Sequence, residues 1–274
     1  MEKIKNLKAV VLDLDGTLLS PDLEVLEETK STLRKIKNNG VKLIIATGRT
    51  PQTAIPMTNS IGIKTPMVLA NGALIYDPCE KKIIDSNSIS KETVTYLLDL
   101  SKKINKSLNI YTPNLIYMEE DKIDAYIEDS GDKKENLINQ DKLDLDKEIV
   151  LKCEFFGKGE GNNPKLKTIV ENARNDLDED LYLTTAHINY LEILNKNVNK
   201  LNGIREVLNL YAIQDEEVLL FGDSHNDVEM LDNFPHSVAM GNAEKCAKNV
   251  AKYVTKSNSN NGISYFISNF TDLM

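Results

Sequence analysis

Two aspartates, Asp13 and Asp15, stand one residue apart at the end of a short apolar run. The run "AVVL" before them is continuous and rich in β-branched residues, which predicts a buried strand. A buried carboxylate is costly unless a partner compensates it, and the Gly-Thr pair that follows predicts a turn. The stretch therefore places two carboxylates where a strand emerges, either as an ordinary solvated turn or as a pair that does chemistry.

Two further buried strands also end in polar residues. They are "LIIATGR" and "VLLFGDSHND", and Lys200 opens the helix that precedes the second of them. The polar residues at their ends are Thr47, Gly48, Arg49, Asp223, Asn226 and Asp227. The ends of parallel strands share one edge of a sheet, where sites form. We therefore expect these side chains to converge on Asp13 and Asp15, which turn chemistry alone does not explain.

The order of elements predicts an α/β fold with a Rossmann-like parallel-sheet core and an inserted α+β domain. Buried strands alternate with amphipathic helices in the first and last parts of the chain, and alternating half-buried strands fill the middle. We expect core segments at 1–81 and 191–274 and the insertion at 82–190. Leu23, Leu26, Leu33 and Ile36 predict one helix before Gly40, and "NPKLKTIVENARNDL" predicts another. The acidic stretch 119–148 is expected to form solvated surface with loops and to have no chemistry.

Composition narrows the classes of function. The formal net charge of −9 over 274 residues argues against a nucleic-acid partner, which would need a basic face, but allows a small phosphorylated ligand. Three scattered cysteines fit a reducing compartment, and three scattered histidines suggest no zinc site. The sequence shows no run long enough to span a membrane. We expect a cytoplasmic monomer or weak homo-oligomer without membrane partners.

The motifs resemble those of a known superfamily. "DLDGTLL", "IIATGR", the Lys200 region and "GDSHNDVEML" are similar, in this order, to the four motifs of the haloacid dehalogenase (HAD) superfamily. The long insertion between the second and third motifs resembles the C2 class of cap domain. "ANGALIY", "VAMGNA" and "SNSNNGI" resemble Cof-type phosphatases, whose cap is of the C2B type.

This resemblance implies roles for individual residues. Asp13 resembles the nucleophile and Asp15 the general acid and base. Magnesium is the implied cofactor, and its implied ligands are Asp13, Asp15 through its backbone carbonyl, Asp223 and Asp227, the last as a ligand or as support. Contacts with the phosphate or the substrate are implied for Leu14, Thr47, Gly48, Arg49, Lys200 and Asn226.

Besides Asp227, two of these assignments leave alternatives. Leu201 follows Lys200 where the family usually has glycine, so Lys196 remains an alternative for the cation. Arg49 either contacts the substrate or braces the cap.

The predicted function is that of a magnesium-dependent phosphatase. It would hydrolyse small phosphorylated metabolites, such as sugar phosphates or pyridoxal phosphate, through an aspartyl-phosphate intermediate. A phosphomutase of the same superfamily and a non-catalytic phosphometabolite-binding protein remain as alternatives. Intact aspartates favour an enzyme, because a binding protein does not need the acid at Asp15.

Overall fold

The structure of the chain is a computed structural model that describes residues 3–130, 133–173, 181–187 and 189–274. Within these ranges the strands are β1 (Ala9–Leu12), β2 (Lys42–Ile45), β3 (Met67–Leu69), β4 (Leu74–Asp77), β5 (Lys82–Ser86), β6 (Ser107–Tyr111), β7 (Ile116–Met118), β8 (Leu137–Asn139), β9 (Lys152–Phe156), β10 (Leu181–His187), β11 (Tyr190–Asn195), β12 (Val218–Gly222), β13 (Ser237–Ala239) and β14 (Tyr253–Val254). The α-helices there are α1 (Glu27–Asn38), α2 (Pro51–Thr58), α3 (Lys91–Ile104), α4 (Ile123–Ser130), α5 (Pro164–Ala173), α6 (Lys200–Leu210), α7 (Val228–Asn233), α8 (Lys245–Val250) and α9 (Gly262–Phe270).

The chain divides into two units. The first comprises Met1–Arg49, Ala54–Asp85 and Asn199–Met274, and the second comprises Thr50–Thr53 and Ser86–Val198. These bounds differ by a few residues from the expected boundaries after residues 81 and 190. The differences follow from strand pairing, because most of β5 stays with the sheet of the first unit and β11 pairs with β9 and β10 in the second.

A five-stranded parallel sheet forms the centre of the first unit. Its order is β14-β13-β12-β1-β2, so β1 lies between β2 and β12. All four residues of β1 are fully buried, as expected for a strand covered on both faces. The predicted α/β class with a parallel-sheet core and an additional sheet domain is confirmed.

A smaller sheet of β3, β4 and β5 belongs to the same unit. Strands β3 and β4 run antiparallel across a turn that contains Asn71 and Gly72. An isolated parallel bridge between Ala46 and Val68 links the end of β2 to β3, so this turn lies beside the edge of the main sheet where β2 ends.

The second unit contains a six-stranded sheet of order β10-β11-β9-β6-β7-β8. Its pairs are antiparallel except β7 with β8. One face packs apolar side chains such as Leu108, Phe155 and Ile193 against residues of α3 and α5. The other face carries Lys152, which pairs with Glu154 and Glu192 while all three side chains are buried.

Three local expectations need correction or restriction. The helix predicted from Leu23 begins only at Glu27, because Ser20 to Glu24 form a turn in which Leu23 has a φ of 58° and is exposed. The acidic stretch 119–148 contains α4 and β8, and Ile123 and Tyr126 of α4 are buried. The last residues of the helix predicted from "NPKLKTIVENARNDL" lie outside the described residues.

The cysteines and the helices add two observations. Cys79, Cys153 and Cys246 are free thiols. Among the residues that the structure describes, no helix is both long and apolar enough to cross a membrane.

Candidate active site

The ends of three adjacent parallel strands form the framework of the site. Strand β1 leads into Asp13, β2 leads into Ala46 and Thr47, and β12 leads into Asp223. Because β1 lies between the other two strands, Asp13 stands at the middle of this edge. The structure therefore brings together the strand ends that the sequence singled out.

Lys200 links two of the predicted carboxylates. It is the first residue of α6, and its Nζ donates to Oδ1 of Asp13 at 2.8 Å and to Oδ1 of Asp227 at 2.7 Å. All three side chains are buried, with Asp227 fully so. Lys196, the alternative cation, belongs to the second unit. The lysine that meets the predicted nucleophile is Lys200.

Burial and neighbouring charges oppose each other in this cluster. Burial raises the pKa of Asp13 well above its usual range, and the charge of Lys200 offsets only part of this while Asp227 and Asp223 add to it. Burial would by itself lower the pKa of Lys200, but its two carboxylate partners outweigh burial and raise that pKa. The lysine is therefore charged at neutral pH and stabilises the carboxylates beside it.

A group of three carboxylates could hold a cation. Asp13, Asp223 and Asp227 offer oxygen atoms that all lie within 4.8 Å of one another. Burial, with the charge of Asp227 acting in the same direction, raises the pKa of Asp223 to about 7. These three acidic groups share the single positive charge of Lys200, so a cation bound among them would stabilise their ionised forms. Carboxylate oxygens are ligands that Mg²⁺ prefers.

Hydrogen bonds fix the two aspartates of the fourth motif. Oδ1 of Asp223 accepts from Oγ1 of Thr17 at 2.8 Å. Oδ2 of Asp227 accepts from the backbone N–H groups of Asp223 at 2.8 Å and Ser224 at 3.1 Å. Asp227 thus uses one oxygen for Lys200 and the other for its own loop, so it supports the position of Asp223.

Gly16 makes room for Asp223. Its φ is 73°, and a Cβ placed there would lie 2.2 Å from Oδ2 of Asp223. No side chain fits at that distance, and the left-handed backbone favours glycine. The glycine of "DLDGT" therefore lets the first loop approach the carboxylate that follows β12.

The carboxylate of Asp15 lies in a different environment. Arg49 donates to both of its oxygens, from Nε at 2.7 Å and from Nη2 at 2.8 Å. The Asp15 side chain is 49% exposed, unlike that of Asp13. The two aspartates of the first motif are therefore separated into one buried and one accessible carboxylate, and Arg49 contacts the accessible one.

The remaining predicted residues occupy the loops around this edge. Thr47 is buried, and its Oγ1 accepts from the N–H of Arg49 at 3.2 Å. Leu14 is buried in the turn after β1, where its carbonyl accepts from Leu19 at 2.9 Å. Asn226 lies in the loop after β12, and Nδ2 of its side chain donates to Oδ1 of Asn71 at 3.0 Å.

Sequence reasoning missed three side chains of the site. Thr17 holds Asp223, Asn71 holds Asn226, and Asn242 donates to the carbonyl of Gly16 at 2.7 Å. Asn71 and Asn242 lie in "ANGALIY" and "VAMGNA". These two stretches contributed to the family resemblance, but the resemblance implied no role for either asparagine.

Comparison with known proteins identifies the family of the chain. Residues 10–267 match the family described as haloacid dehalogenase-like hydrolase. The chain belongs to this family of hydrolases, so the predicted HAD membership is confirmed.

A curated relative and two solved structures are similar over almost the whole chain. The relative is 5-amino-6-(5-phospho-D-ribitylamino)uracil phosphatase YitU of Bacillus subtilis, 28% identical over 280 residues that cover 96% of this chain and 97% of the relative. The crystal structure of TM0651 from Thermotoga maritima has a TM-score of 0.81 at 27% identity, covering 96% of this chain and 97% of that one. A haloacid dehalogenase-like hydrolase from Bacteroides thetaiotaomicron has a TM-score of 0.82 at 25% identity, covering 96% and 98%.

Proposed function

We propose that this enzyme hydrolyses small phosphoric monoesters with Mg²⁺ and through an aspartyl-phosphate on Asp13. That it is a phosphoric monoester hydrolase of the HAD family follows from the family match and from relatives named as phosphatases. The observation that carries the proposal is Asp13, buried at the centre of the sheet edge and held by Lys200 beside Asp223.

The carboxylate cluster supports the choice of cofactor. Asp13 and Asp223 would hold Mg²⁺, and Asp227 would brace them through its bonds to Lys200 and to the backbone of Asp223. Bound there, Mg²⁺ would offset the negative charges of the nucleophile and the phosphate, which otherwise repel each other.

The positions of the two first-motif aspartates support a division of labour. Lys200 holds Oδ1 of Asp13, which leaves Oδ2 to attack phosphorus while the bond from phosphorus to the ester oxygen breaks. Asp15 gives its proton to the leaving oxygen. Water then attacks the phosphorus and gives its proton to Asp15. Inorganic phosphate leaves as the bond to Asp13 breaks, and both aspartates return to their first state.

Residues around Asp13 would bind and orient the phosphoryl group. The proposed contacts are the hydroxyl of Thr47, the amide of Asn226, the ammonium of Lys200 and the backbone of the turn at Leu14. Arg49 holds the ionised Asp15 carboxylate through two hydrogen bonds, and we assign it the role of orienting Asp15 as the base that takes the proton from water. When Asp15 carries a proton as the acid, at least one of these bonds is released. The relative YitU is named as a phosphatase of a phosphoribitylamino compound, which makes phosphorylated sugar alcohols a substrate class to test first.

The test is phosphate release from p-nitrophenyl phosphate and from a panel of sugar, sugar-alcohol and pyridoxal phosphates. Activity should appear with Mg²⁺ and disappear in excess EDTA, and Asp13→Asn should abolish it. Ca²⁺ should bind but support turnover poorly, because its looser and higher coordination misplaces the attacking carboxylate.

The outcomes separate the alternatives. Full activity in EDTA would refute the role of magnesium. Transfer of phosphate to a second sugar position without release would indicate a phosphomutase. Binding of phosphorylated metabolites without turnover would indicate a non-catalytic binding protein.

A further inference from the structure

A turn of three left-handed residues lies between β3 and β4. Ala70 has a φ of 48°, Asn71 of 57° and Gly72 of 102°. Only glycine adopts such angles freely, and a left-handed alanine is uncommon and strained. Strain of this kind persists when the surroundings enforce it, and it is concentrated at functional sites. We call Ala70–Gly72 the left-handed turn.

The left-handed turn is bonded to the loop that carries Thr47. The N–H of Ala70 donates to the carbonyl of Arg49 at 2.9 Å, and the N–H of Asn71 donates to the carbonyl of Thr47 at 2.9 Å. A Cβ at Gly48 would lie 3.1 Å from Oδ1 of Asn71. The Asn71 amide therefore packs directly against the backbone of this loop.

The same amide holds the loop after β12. Oδ1 of Asn71 accepts from Nδ2 of Asn226 at 3.0 Å, and Oδ1 of Asn226 accepts from Oγ of Ser224 at 2.6 Å. These two bonds define which end of the Asn226 amide is nitrogen and which way it points. Asn71 is buried, so water does not easily replace the bond.

The left-handed turn also packs on the start of α6. A Cβ at Gly72 would lie 2.3 Å from the carbonyl oxygen of Asn199, the residue before Lys200. A Cβ at Gly203, one turn into α6, would lie 2.6 Å from Val68 and 3.3 Å from Gly72. The turn thus touches three segments, which carry Thr47, Asn226 and Lys200.

We propose that Asn71 is a positioning residue that aligns Asn226 with Thr47 for phosphate binding. This inference rests on the proposed function, because the proposed function assigns phosphate contacts to Asn226 and Thr47. Asparagine suits the position for two reasons: it tolerates the left-handed backbone, and its carbonyl accepts the Asn226 amide. The side chain acts through Asn226 and needs no contact with the phosphate.

The experiment separates the side chain from the backbone. Asn71→Gly keeps the left-handed conformation and removes only the amide. We expect inorganic phosphate to bind about 3- to 10-fold more weakly in the presence of Mg²⁺, the worth of one hydrogen bond, measured by calorimetry. Asn6→Gly is the matched control, since Asn6 also has a positive φ, of 62°, but precedes the opposite end of β1. Its phosphate affinity should equal that of wild type.

A double-mutant cycle tests whether Asn71 acts through Asn226. In an Asn226→Ala background, Asn71→Gly should change phosphate affinity by less than 2-fold. Fully additive effects, or wild-type affinity in Asn71→Gly, would overturn the proposal, as would a wild-type protein that binds no phosphate. A merely structural role would lower the melting temperature and leave affinity unchanged. Failure of the proposed function would instead appear as the absence of phosphate release by the wild-type protein. The binding measurement does not depend on phosphate release, so the two failures can be distinguished.

Discussion

Replacement of Lys200 by methionine tests the electrostatics of the site most directly. Lys200→Met keeps an unbranched side chain of nearly the same length and removes the charged Nζ. The Nζ atom donates at 2.8 Å and 2.7 Å to two aspartates, and all three side chains are almost fully buried. Removing one partner of a buried pair leaves uncompensated charge and typically costs about 3–5 kcal/mol. Total stabilities are about 5–15 kcal/mol, so this loss is large.

Hydrogen exchange of the amides in β1 and β12 measures the loss. In EDTA at pH 7, a change of this size would raise exchange in these strands by about 10²- to 4 × 10³-fold. Lys8→Met is the matched control. Lys8 pairs with Glu217 at 2.6 Å, but its side chain is 58% exposed. Because water and salt screen such a pair, exchange should stay close to that of wild type. Less than 10-fold acceleration in Lys200→Met, or equal effects in both variants, would refute the reasoning.

The loss of stability caused by Lys200→Met should also depend on pH. Lys200→Met removes the positive charge that opposes the effect of burial on Asp13, so the already raised pKa of Asp13 rises further. A carboxyl with a raised folded-state pKa contributes stability that is present below its unfolded-state pKa and is lost as pH rises through the folded-state pKa. The difference between variant and wild type should therefore grow from pH 5 to pH 8, after correction for the intrinsic exchange rate. A difference that shrinks over this range would contradict the assignment.

Two further variants test the first motif. Gly16→Ala would place a Cβ 2.2 Å from Oδ2 of Asp223. We expect it to weaken Mg²⁺ binding at least 10-fold and to slow phosphate release about 10²-fold, while the circular dichroism spectrum stays unchanged. Unchanged Mg²⁺ affinity would contradict the role of this glycine. Asp15→Asn should slow phosphorylation of Asp13 by alkyl phosphates about 10²- to 10⁴-fold, yet with p-nitrophenyl phosphate it should give a burst of nitrophenol and a phosphate adduct on Asp13. Asp13→Asn should give neither, and equal slowing of both substrates by Asp15→Asn without an adduct would refute the division of labour.

The sequence was sufficient to predict which strand ends converge at the candidate site. Asp13, Thr47 and Asp223 follow buried parallel strands, and the ends of such strands meet at one edge whatever the details of packing. The continuous apolar runs before them specify burial on both faces. The alternation of strands and helices predicted the class of fold, because each strand and helix is recognisable from its own local pattern of apolar residues.

Interactions between distant segments could not be predicted in this way. The bonds from Arg49 to Asp15 and from Asn226 to Asn71 join loops of different strands, and no local pattern specifies which side chains will meet. The strained angle of Ala70 is invisible in a sequence, because alanine ordinarily avoids it.

Two local errors have a similar origin. Leucine spacing predicted a helix from Leu23, but a turn at Ser20 to Glu24 prevents it. In the acidic stretch, Ile123 and Tyr126 are buried against residues of β7 such as Ile116 and Met118. Average charge over that stretch conceals two apolar residues whose partners lie elsewhere in the chain.

The pairing of β1 has a consequence for how the chain folds. Ala9 is in register with Lys42 on one side and with Val218 on the other. During synthesis from the amino terminus, the second of these neighbours emerges only after most of the chain, and until then β1 has one unpaired apolar edge. Pairing over such separations is slow, and unpaired edges promote aggregation. Nascent chains should therefore depend on protection of this edge, and no ribosome-bound fragment that ends before β12 can be active.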